Sequence, residues 1–253
     1  MAGVFGNGRK KAICFDLNGT LIDPRAGFLT AVEQCLTEFT ARWDGDGWQP
    51  REAALAYERA WRTCGHGARR GGQGTPPHSR SLEQRQLSCL ATALVGSPLE
   101  TSEPFVRRLL GHIRQAAPAH SRAYPDVRGA LDRLADAYAI AVISNSSRGT
   151  VEQAIAAAGL SEWFAHEHLF TPDSRTPKKP NRAMFHNAVQ RLGVRPNEAL
   201  MVGNSWKTDI AGACRAGLDA VWINPGRSGW TKKRVGSCTV VRATRFVDLL
   251  DVL

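Results

Sequence analysis

Short apolar runs, each followed by small polar residues, set the pattern of this chain. Residues 11–16 read Lys-Ala-Ile-Cys-Phe-Asp, and the Asn18-Gly19 pair that follows favours a tight turn. Similar runs cover residues 139–143, 199–202 and 220–223, and residues 169–170 form a shorter one. Runs of this length bounded by turn residues are typical of buried strands.

Between these runs, apolar residues recur at three- and four-residue spacing, which indicates helices. Helices are predicted over residues 126–135, 150–158, 182–192 and 209–216, and Gly159 and Gly217 follow two of them as stop signals. Strands that alternate with helices form a parallel sheet covered on both faces. The predicted fold class is therefore α/β, with a doubly wound, Rossmann-like parallel sheet.

Residues 24–122 lack this alternation. Phe28, Val32, Leu36 and Phe39 recur at helical spacing, no strand pattern follows, and the Gly-, Pro- and Arg-rich residues 65–78 predict a loop. We therefore predict one domain formed by residues 1–23 and 123–253, with a helical domain, residues 24–122, inserted into it.

Composition narrows the functional class. The 33 Lys and Arg against 23 Asp and Glu give a net charge of +10, which raises the concentration of anionic ligands near the surface. These basic residues are scattered rather than gathered with aromatics, so we expect a small anionic substrate and no nucleic acid. The six cysteines show no C-x-x-C spacing, residues 1–11 lack the apolar stretch typical of a signal peptide, and no run of eighteen apolar residues follows. We expect a cytoplasmic protein without a membrane partner.

Polar residues at the predicted strand ends carry the candidate chemistry. Open parallel sheets bind ligands beyond the carboxyl ends of their strands. Three segments lie there: residues 16–20, residues 144–146 and residues 203–209.

These segments resemble the four motifs of the haloacid dehalogenase (HAD) superfamily. Residues 15–21, with Asp16 leading, are similar to the first motif, and residues 143–145 to the second. Lys179-Pro180 with Phe185 is similar to the third, and residues 203–206 with Asp209 to the fourth. The resemblance covers residues 1–23 and roughly 123–250, and residues 24–122 have the position and size of the family's helical cap domain. Residues 205–206 and 220–224 are most similar to nucleotidase-like phosphatases.

The resemblance implies a hydrolase that acts on a small phosphorylated or related anionic metabolite. Asp16 would be the nucleophile, since a carboxylate can form an acyl phosphate, and Lys179 would keep it ionised. Mg²⁺ would be held by Asp16, the backbone carbonyl of Asn18 and Asn204, with Asp209 behind them. The phosphate would be bound by Gly19, Thr20, Ser144, Asn145 and Lys179.

Two of these positions depart from the family pattern. The family's phosphatases usually have Asp in place of Asn18, where it protonates the leaving group and activates water; losing such a group costs about 10²–10⁴ in rate. Asn204 replaces a charged metal ligand with a neutral one. Two alternatives therefore stay open: an HAD-fold binding or regulatory protein without turnover, and an HAD hydrolase of non-phosphate chemistry such as dehalogenation.

Overall fold

The computed structural model describes residues 4–5, 10–42, 47–66, 81–225 and 230–253. The chain divides into two compact units, one formed by Met1–Pro24 with Ser121–Leu253 and the other by Arg25–His120. That the second unit acts as a cap domain stays a prediction. Of the predicted loop over residues 65–78, the first two residues belong to a helix and the rest lies outside the described residues.

The first unit is built on a central sheet. The strands of the described residues are, in chain order, β1 (Ala12–Phe15), β2 (Ile22–Asp23), β3 (Arg122–Ala123), β4 (Ala139–Ile143), β5 (Leu169–Phe170), β6 (Ala199–Gly203), β7 (Asp219–Ile223), β8 (Thr231–Val235) and β9 (Cys238–Ala243). Seven of them form one sheet in the order β5-β4-β1-β6-β7-β9-β8. All neighbours in it pair in parallel except β8 and β9, and β2 pairs with β3 in a separate antiparallel ribbon.

Some of the helices cover the two faces of this sheet, and the others form the second unit. The helices of the described residues are α1 (Pro24–Phe39), α2 (Pro50–His66), α3 (Leu82–Ala93), α4 (Glu103–Ala116), α5 (Val127–Ala135), α6 (Arg148–Ala157), α7 (Arg182–Arg191), α8 (Ala211–Arg215) and α9 (Leu249–Val252). None of the helices found in the described ranges combines the length and the apolar character needed to span a membrane.

Strand β1 shows how the sheet is covered on both faces. Ile13 and Phe15 join a buried cluster that includes side chains of α5, α6 and α9, whereas Ala12 and Cys14 join a second cluster with side chains of α7 and α8. All four residues of β1 are completely buried. The predicted α/β, doubly wound fold is confirmed, and packing on both faces fixes the position of β1.

The second unit has a core of its own. Buried residues of α1 to α4 form one cluster that includes Val32, Leu36, Leu90 and Leu109. Two of its helices begin with side-chain caps: the Ser81 hydroxyl accepts the Gln84 N–H before α3, and the Ser102 hydroxyl accepts the Phe105 N–H before α4.

Two local predictions differ from the structure. Residues 209–216 were predicted as one helix, but a π-helical turn, Trp206–Ile210, precedes the short α8. The turn is wide because the Ser205 carbonyl accepts the N–H groups of both Asp209 and Ile210. The β8–β9 hairpin was not predicted, since β8 reads Thr-Lys-Lys-Arg-Val and lacks a core-facing apolar pattern.

Candidate active site

Asp16 lies immediately after β1, an inner strand of the sheet. Its N–H donates to the Val202 carbonyl at 2.8 Å, so the pairing of β1 with β6 continues up to this residue. The side chain is nearly buried, with 8% of the residue exposed. A carboxylate at this end of a parallel sheet is held where such folds bind their ligands.

The ammonium group of Lys179 joins Asp16 to Asp209. Its Nζ lies 2.7 Å from Asp16 Oδ1, 2.8 Å from Asp209 Oδ1 and 2.6 Å from the Ile143 carbonyl oxygen. A lysine ammonium has three N–H bonds, and each has an acceptor here. Asp16, Lys179 and Asp209, which belong to three separate predicted motifs, are thus brought together near the carboxyl ends of β1, β4 and β6.

Asn145 fixes the backbone of Lys179. Its Oδ1 accepts the Lys179 N–H at 2.7 Å, and its Nδ2 donates to the Lys179 carbonyl at 3.0 Å. The Asn145 side chain, which was predicted to lie at the phosphate site, therefore forms its hydrogen bonds with the backbone of Lys179. Phosphate binding through the backbone N–H near Asn145 stays a prediction.

Asp209 is buried behind the other two charged groups, with 1% of the residue exposed. Its Oδ2 accepts the Ser205 N–H at 2.9 Å, and its Oδ1 accepts the Thr208 hydroxyl at 3.1 Å. A Cβ on Gly203 would come within 2.5 Å of the Asp209 Cβ, so only glycine allows this approach. Asp209 thus holds Lys179 and its own loop in place, and its predicted role behind a metal stays a prediction.

The charges in this cluster do not balance. Burial raises the pKa of Asp16 to about 6; Lys179 opposes the increase and Asp209 adds to it. Burial alone would lower the pKa of Lys179, but the two carboxylates outweigh it and leave that pKa above its ordinary value. With both carboxyls ionised, the cluster carries one excess negative charge.

Asn18 and Asn204 lie at the exposed rim of the site. Asn18 Nδ2 donates to the Ser146 hydroxyl at 3.5 Å, which is a weak hydrogen bond. Gly19 has a φ of +82°, and a Cβ on it would come within 2.3 Å of Asn204 Nδ2. The positive φ favours glycine at this position, and the close approach shows that the Asn204 amide lies against the turn that follows Asp16.

Two hydroxyl residues of the predicted phosphate site are buried, each with 1% of the residue exposed. The Ser144 hydroxyl accepts the Ser146 N–H at 3.2 Å. Within the described part of the chain, no hydrogen-bond partner is found for the Thr20 hydroxyl. Thr20, Gly19 and Asn204 border a cavity of about 710 Å³, but Asp16, Ser144 and Lys179 are not part of its lining.

The residues present suit Mg²⁺ in kind. Asp16 offers a carboxylate, Asn18 a backbone carbonyl and Asn204 an amide oxygen, which are all ligand types that Mg²⁺ accepts. The orphaned Thr20 hydroxyl beside them is also what a site adapted to a polar ligand would contain. Among the described residues, no group of three or more His, Cys, Asp or Glu side chains is placed to bind a metal.

Four contributors to the site lie within the predicted segments but were not predicted individually: Ile143, Ser146, Ser205 and Thr208. Ser146 and Ser205 directly follow predicted site residues, so their motifs contained a signal. Ile143 acts through its backbone carbonyl, which no residue type reveals.

The sequence also matches a family profile. The profile of the haloacid dehalogenase-like hydrolases matches residues 10–217, which is most of the chain. The chain belongs to this family.

Two curated phosphatases are similar in sequence to this chain over most of their own length. The phosphoglycolate phosphatase of Colwellia psychrerythraea is 26% identical over 220 residues, which cover 86% of this chain and 85% of the relative. The human N-acylneuraminate-9-phosphatase is 31% identical over 233 residues, which cover 87% of this chain and 84% of the relative.

Solved structures show the same fold. The HAD-type hydrolase YfnB from Bacillus subtilis, bound to magnesium, has a TM-score of 0.64 and 17% identity, covering 97% of this chain and 99% of that one. A 2-haloacid dehalogenase from Pseudomonas syringae has a TM-score of 0.54 and 21% identity, covering 96% and 97%.

Proposed function

We propose that this hydrolase is a phosphatase that transfers the phosphoryl group of a small phosphorylated metabolite to Asp16. The main support is the triple contact of the Lys179 ammonium with Asp16, Asp209 and the Ile143 carbonyl, which orients one carboxylate at the ligand-binding end of the sheet. Phosphorylated carboxylates and phosphorylated sugar acids, as named for the two relatives, are the first substrate classes to consider.

In the first step, an oxygen of Asp16 attacks phosphorus and the bond from phosphorus to the leaving oxygen breaks, giving an acyl phosphate. Lys179 keeps Asp16 ionised and correctly turned, and its three occupied N–H bonds assign it mainly to this task. Ser144, Thr20 and nearby backbone N–H groups bind the phosphoryl oxygens. Asp16, the Asn18 carbonyl and Asn204 would hold Mg²⁺, which would supply positive charge beside those oxygens.

Asn18 makes both proton transfers slow. Its amide cannot protonate the leaving oxygen, so that oxygen takes a proton from water, and esters with good leaving groups should react best. In the second step, a water molecule attacks phosphorus and the bond from phosphorus to the Asp16 oxygen breaks, which releases phosphate and restores the carboxylate. The proton of that water passes to solvent, because Asn18 offers no side-chain base. With a good leaving group the first step does not need the proton, whereas the second step still lacks a base, so the acyl phosphate on Asp16 should accumulate.

We extend the proposal to the second unit, Arg25–His120, as a cap domain that selects the leaving group. Its support is its own helical core and its insertion between β2 and β3. Lids of this kind commonly complete the sites of such enzymes and exclude water.

The covalent intermediate tests the proposal. An aryl phosphate is mixed with the protein and Mg²⁺, the reaction is quenched in acid, and peptides are analysed by mass spectrometry. We expect one phosphoryl group on Asp16 and a burst of phenol close to one equivalent, and neither in Asp16→Asn. Absence of both from the wild type would contradict a phosphatase function.

Two alternatives are tested alongside. Dehalogenation is favoured by the missing second Asp and by the fold shared with a solved dehalogenase, and chloride release from a 2-chloro acid would support it. Binding without turnover is favoured by the neutral Asn18 and Asn204. Calorimetric binding of a phosphorylated acid, without product or adduct, would support it.

A further inference from the structure

The indole of Trp222 contacts the loop that carries Asn204. Trp222 lies on β7, beside Gly203 of β6 in the sheet register, and its Nε1–H donates to the Asn204 carbonyl at 3.0 Å. The bond therefore joins the end of one strand to the first residue beyond its neighbour.

The peptide group between Asn204 and Ser205 is held at both of its polar atoms. Trp222 binds its oxygen, and Asp209 Oδ2 accepts its N–H, which belongs to Ser205, at 2.9 Å. Fixing a peptide plane from both sides restricts the ψ angle of Asn204 and the direction of its side chain. That side chain lies against the Gly19 turn.

A stack of side chains orients the indole. The ring of Trp206 meets that of Trp222 edge to face, with centroids 5.2 Å apart. The Lys233 ammonium of β8 lies 3.9 Å from the Trp206 ring centre, within the range of a cation–π contact. The unpredicted hairpin thus contributes to the order of this loop.

We propose that Trp222 is a positioning residue for Asn204, holding the amide oxygen where the metal would bind. The proposal rests on the proposed function, because it takes Asn204 as a ligand of Mg²⁺. An amide is a weaker ligand than a carboxylate, so its site depends more on prior positioning. The indole does not contact the substrate in this proposal.

The test compares Trp222→Phe with Trp206→Phe in the full-length protein. Trp206→Phe removes an indole from the same stack but leaves the Trp222–Asn204 bond available. A second variant places 3-benzothienylalanine at position 222, which keeps the bicyclic ring and lacks the N–H. The readouts are hydrogen exchange of the Ser205 N–H by NMR without metal, the Kd for Mg²⁺ by calorimetry, and the split between kcat and KM for an aryl phosphate.

We expect both position-222 variants to speed Ser205 exchange and to weaken Mg²⁺ binding by about fivefold, the effect of one lost hydrogen bond. Activity should need more Mg²⁺, with kcat at saturating Mg²⁺ little changed, and Trp206→Phe should show less than half of each effect. Equal effects of Trp206→Phe, or unchanged Ser205 exchange in both position-222 variants, would overturn the proposal. If the wild type does not bind Mg²⁺, the metal part of the proposed function fails, and Ser205 exchange still decides whether Trp222 orders the loop.

Discussion

Two buried lysine–aspartate clusters lie at opposite ends of the same sheet. At the amino ends of the strands, Lys10 Nζ donates to Asp219 Oδ2 and, at 2.7 Å, to the Asn197 carbonyl. The other oxygen of Asp219 accepts the Thr239 N–H at 2.6 Å. One cation faces one carboxylate, and both carboxylate oxygens have donors. This cluster is neutral.

At the carboxyl ends, one cation is shared by two carboxylates. Lys179 contacts both Asp16 and Asp209, and the second of these is also saturated by Ser205 and Thr208. The excess charge therefore belongs to the side of Asp16, the more accessible of the two carboxylates. Lysine and aspartate thus stabilise the fold at the end where their charges balance, and they suit catalysis at the end where one negative charge is in excess.

The largest expected effect is that of removing each lysine. Lys179→Met leaves two carboxylates that had shared one Nζ, whereas Lys10→Met leaves a single carboxylate that keeps its Thr239 N–H. Breaking a buried pair costs about 3–5 kcal/mol, and we expect Lys179→Met at the upper end of this range and Lys10→Met at the lower. Urea unfolding at neutral pH, followed by circular dichroism, measures both. A larger loss for Lys10→Met would break the comparison.

The control is the pH dependence of the free energy lost in Lys179→Met and in Lys10→Met, measured with a chelator present. Lys179 lowers the pKa of Asp16, so its removal should raise that pKa further above about 6. A carboxyl whose pKa is higher in the folded than in the unfolded state destabilises the fold increasingly as pH rises between the two values. The cost of Lys179→Met should therefore shrink at pH 5. A cost that is constant with pH would point to lost packing instead of repulsion.

The two ends also differ in how well the sequence predicted them. Strands β1, β4, β6 and β7 were predicted because each is a compact apolar run, and the polar residues after them marked Asp16 and Ser144. The HAD resemblance then pointed to Lys179 and Asp209. The amino-end cluster was missed, since Lys10 precedes a strand and Asp219 begins one, where no motif marks them.

Other details of the site depend on contacts between distant segments. Asn145 accepts the backbone N–H of Lys179, 34 positions away, and the third acceptor of the Lys179 ammonium is the Ile143 backbone carbonyl. In the π-helical turn before α8, the Ser205 carbonyl accepts two backbone N–H groups, and the Asp209 side chain accepts the Ser205 N–H. Periodicity reports which face of a helix is apolar, but it carries no information on such side-chain to backbone bonds.

A smaller effect is expected from adding a carboxylate at the carboxyl end of the sheet, where negative charge is already in excess. Asn18→Asp should raise the rate at which an alkyl phosphate phosphorylates Asp16 by about 10²-fold and the rate for an aryl phosphate by less, because only a poor leaving group needs the proton. Rapid-quench rates of acyl-phosphate formation from the two esters measure this, since steady-state turnover also contains the hydrolysis step that both esters share. Equal gains for both esters would show that protonation of the leaving group is not the missing step.

Asn204→Asp should instead act on the metal. We expect tighter Mg²⁺ binding and, with a chelator present, a lower free energy of unfolding, because a third carboxylate joins a cluster with one cation. The double variant should exceed either single change, since both serve one reaction centre. A Mg²⁺ titration of activity across all four proteins measures this. No gain in the double variant would favour dehalogenation or a binding role.

The smallest expected effect is that of Asp16→Asn on stability, and it sharpens the comparison most. The substitution leaves Lys179 with Asp209, a neutral pair like that of Lys10 and Asp219, and the amide oxygen can still accept the lysine N–H. It also removes a carboxylate whose pKa burial has raised, so an unfavourable charge leaves the interior. The free energy of unfolding should change by less than about 1 kcal/mol at neutral pH. The matched control, Asp219→Asn, makes the same chemical change but leaves Lys10 without a counter-charge, and should cost about 3 kcal/mol. Urea unfolding of both variants beside the wild type decides. If Asp16→Asn lost as much as Asp219→Asn, Asp16 would be needed to hold the fold, and its excess charge could no longer be attributed to chemistry.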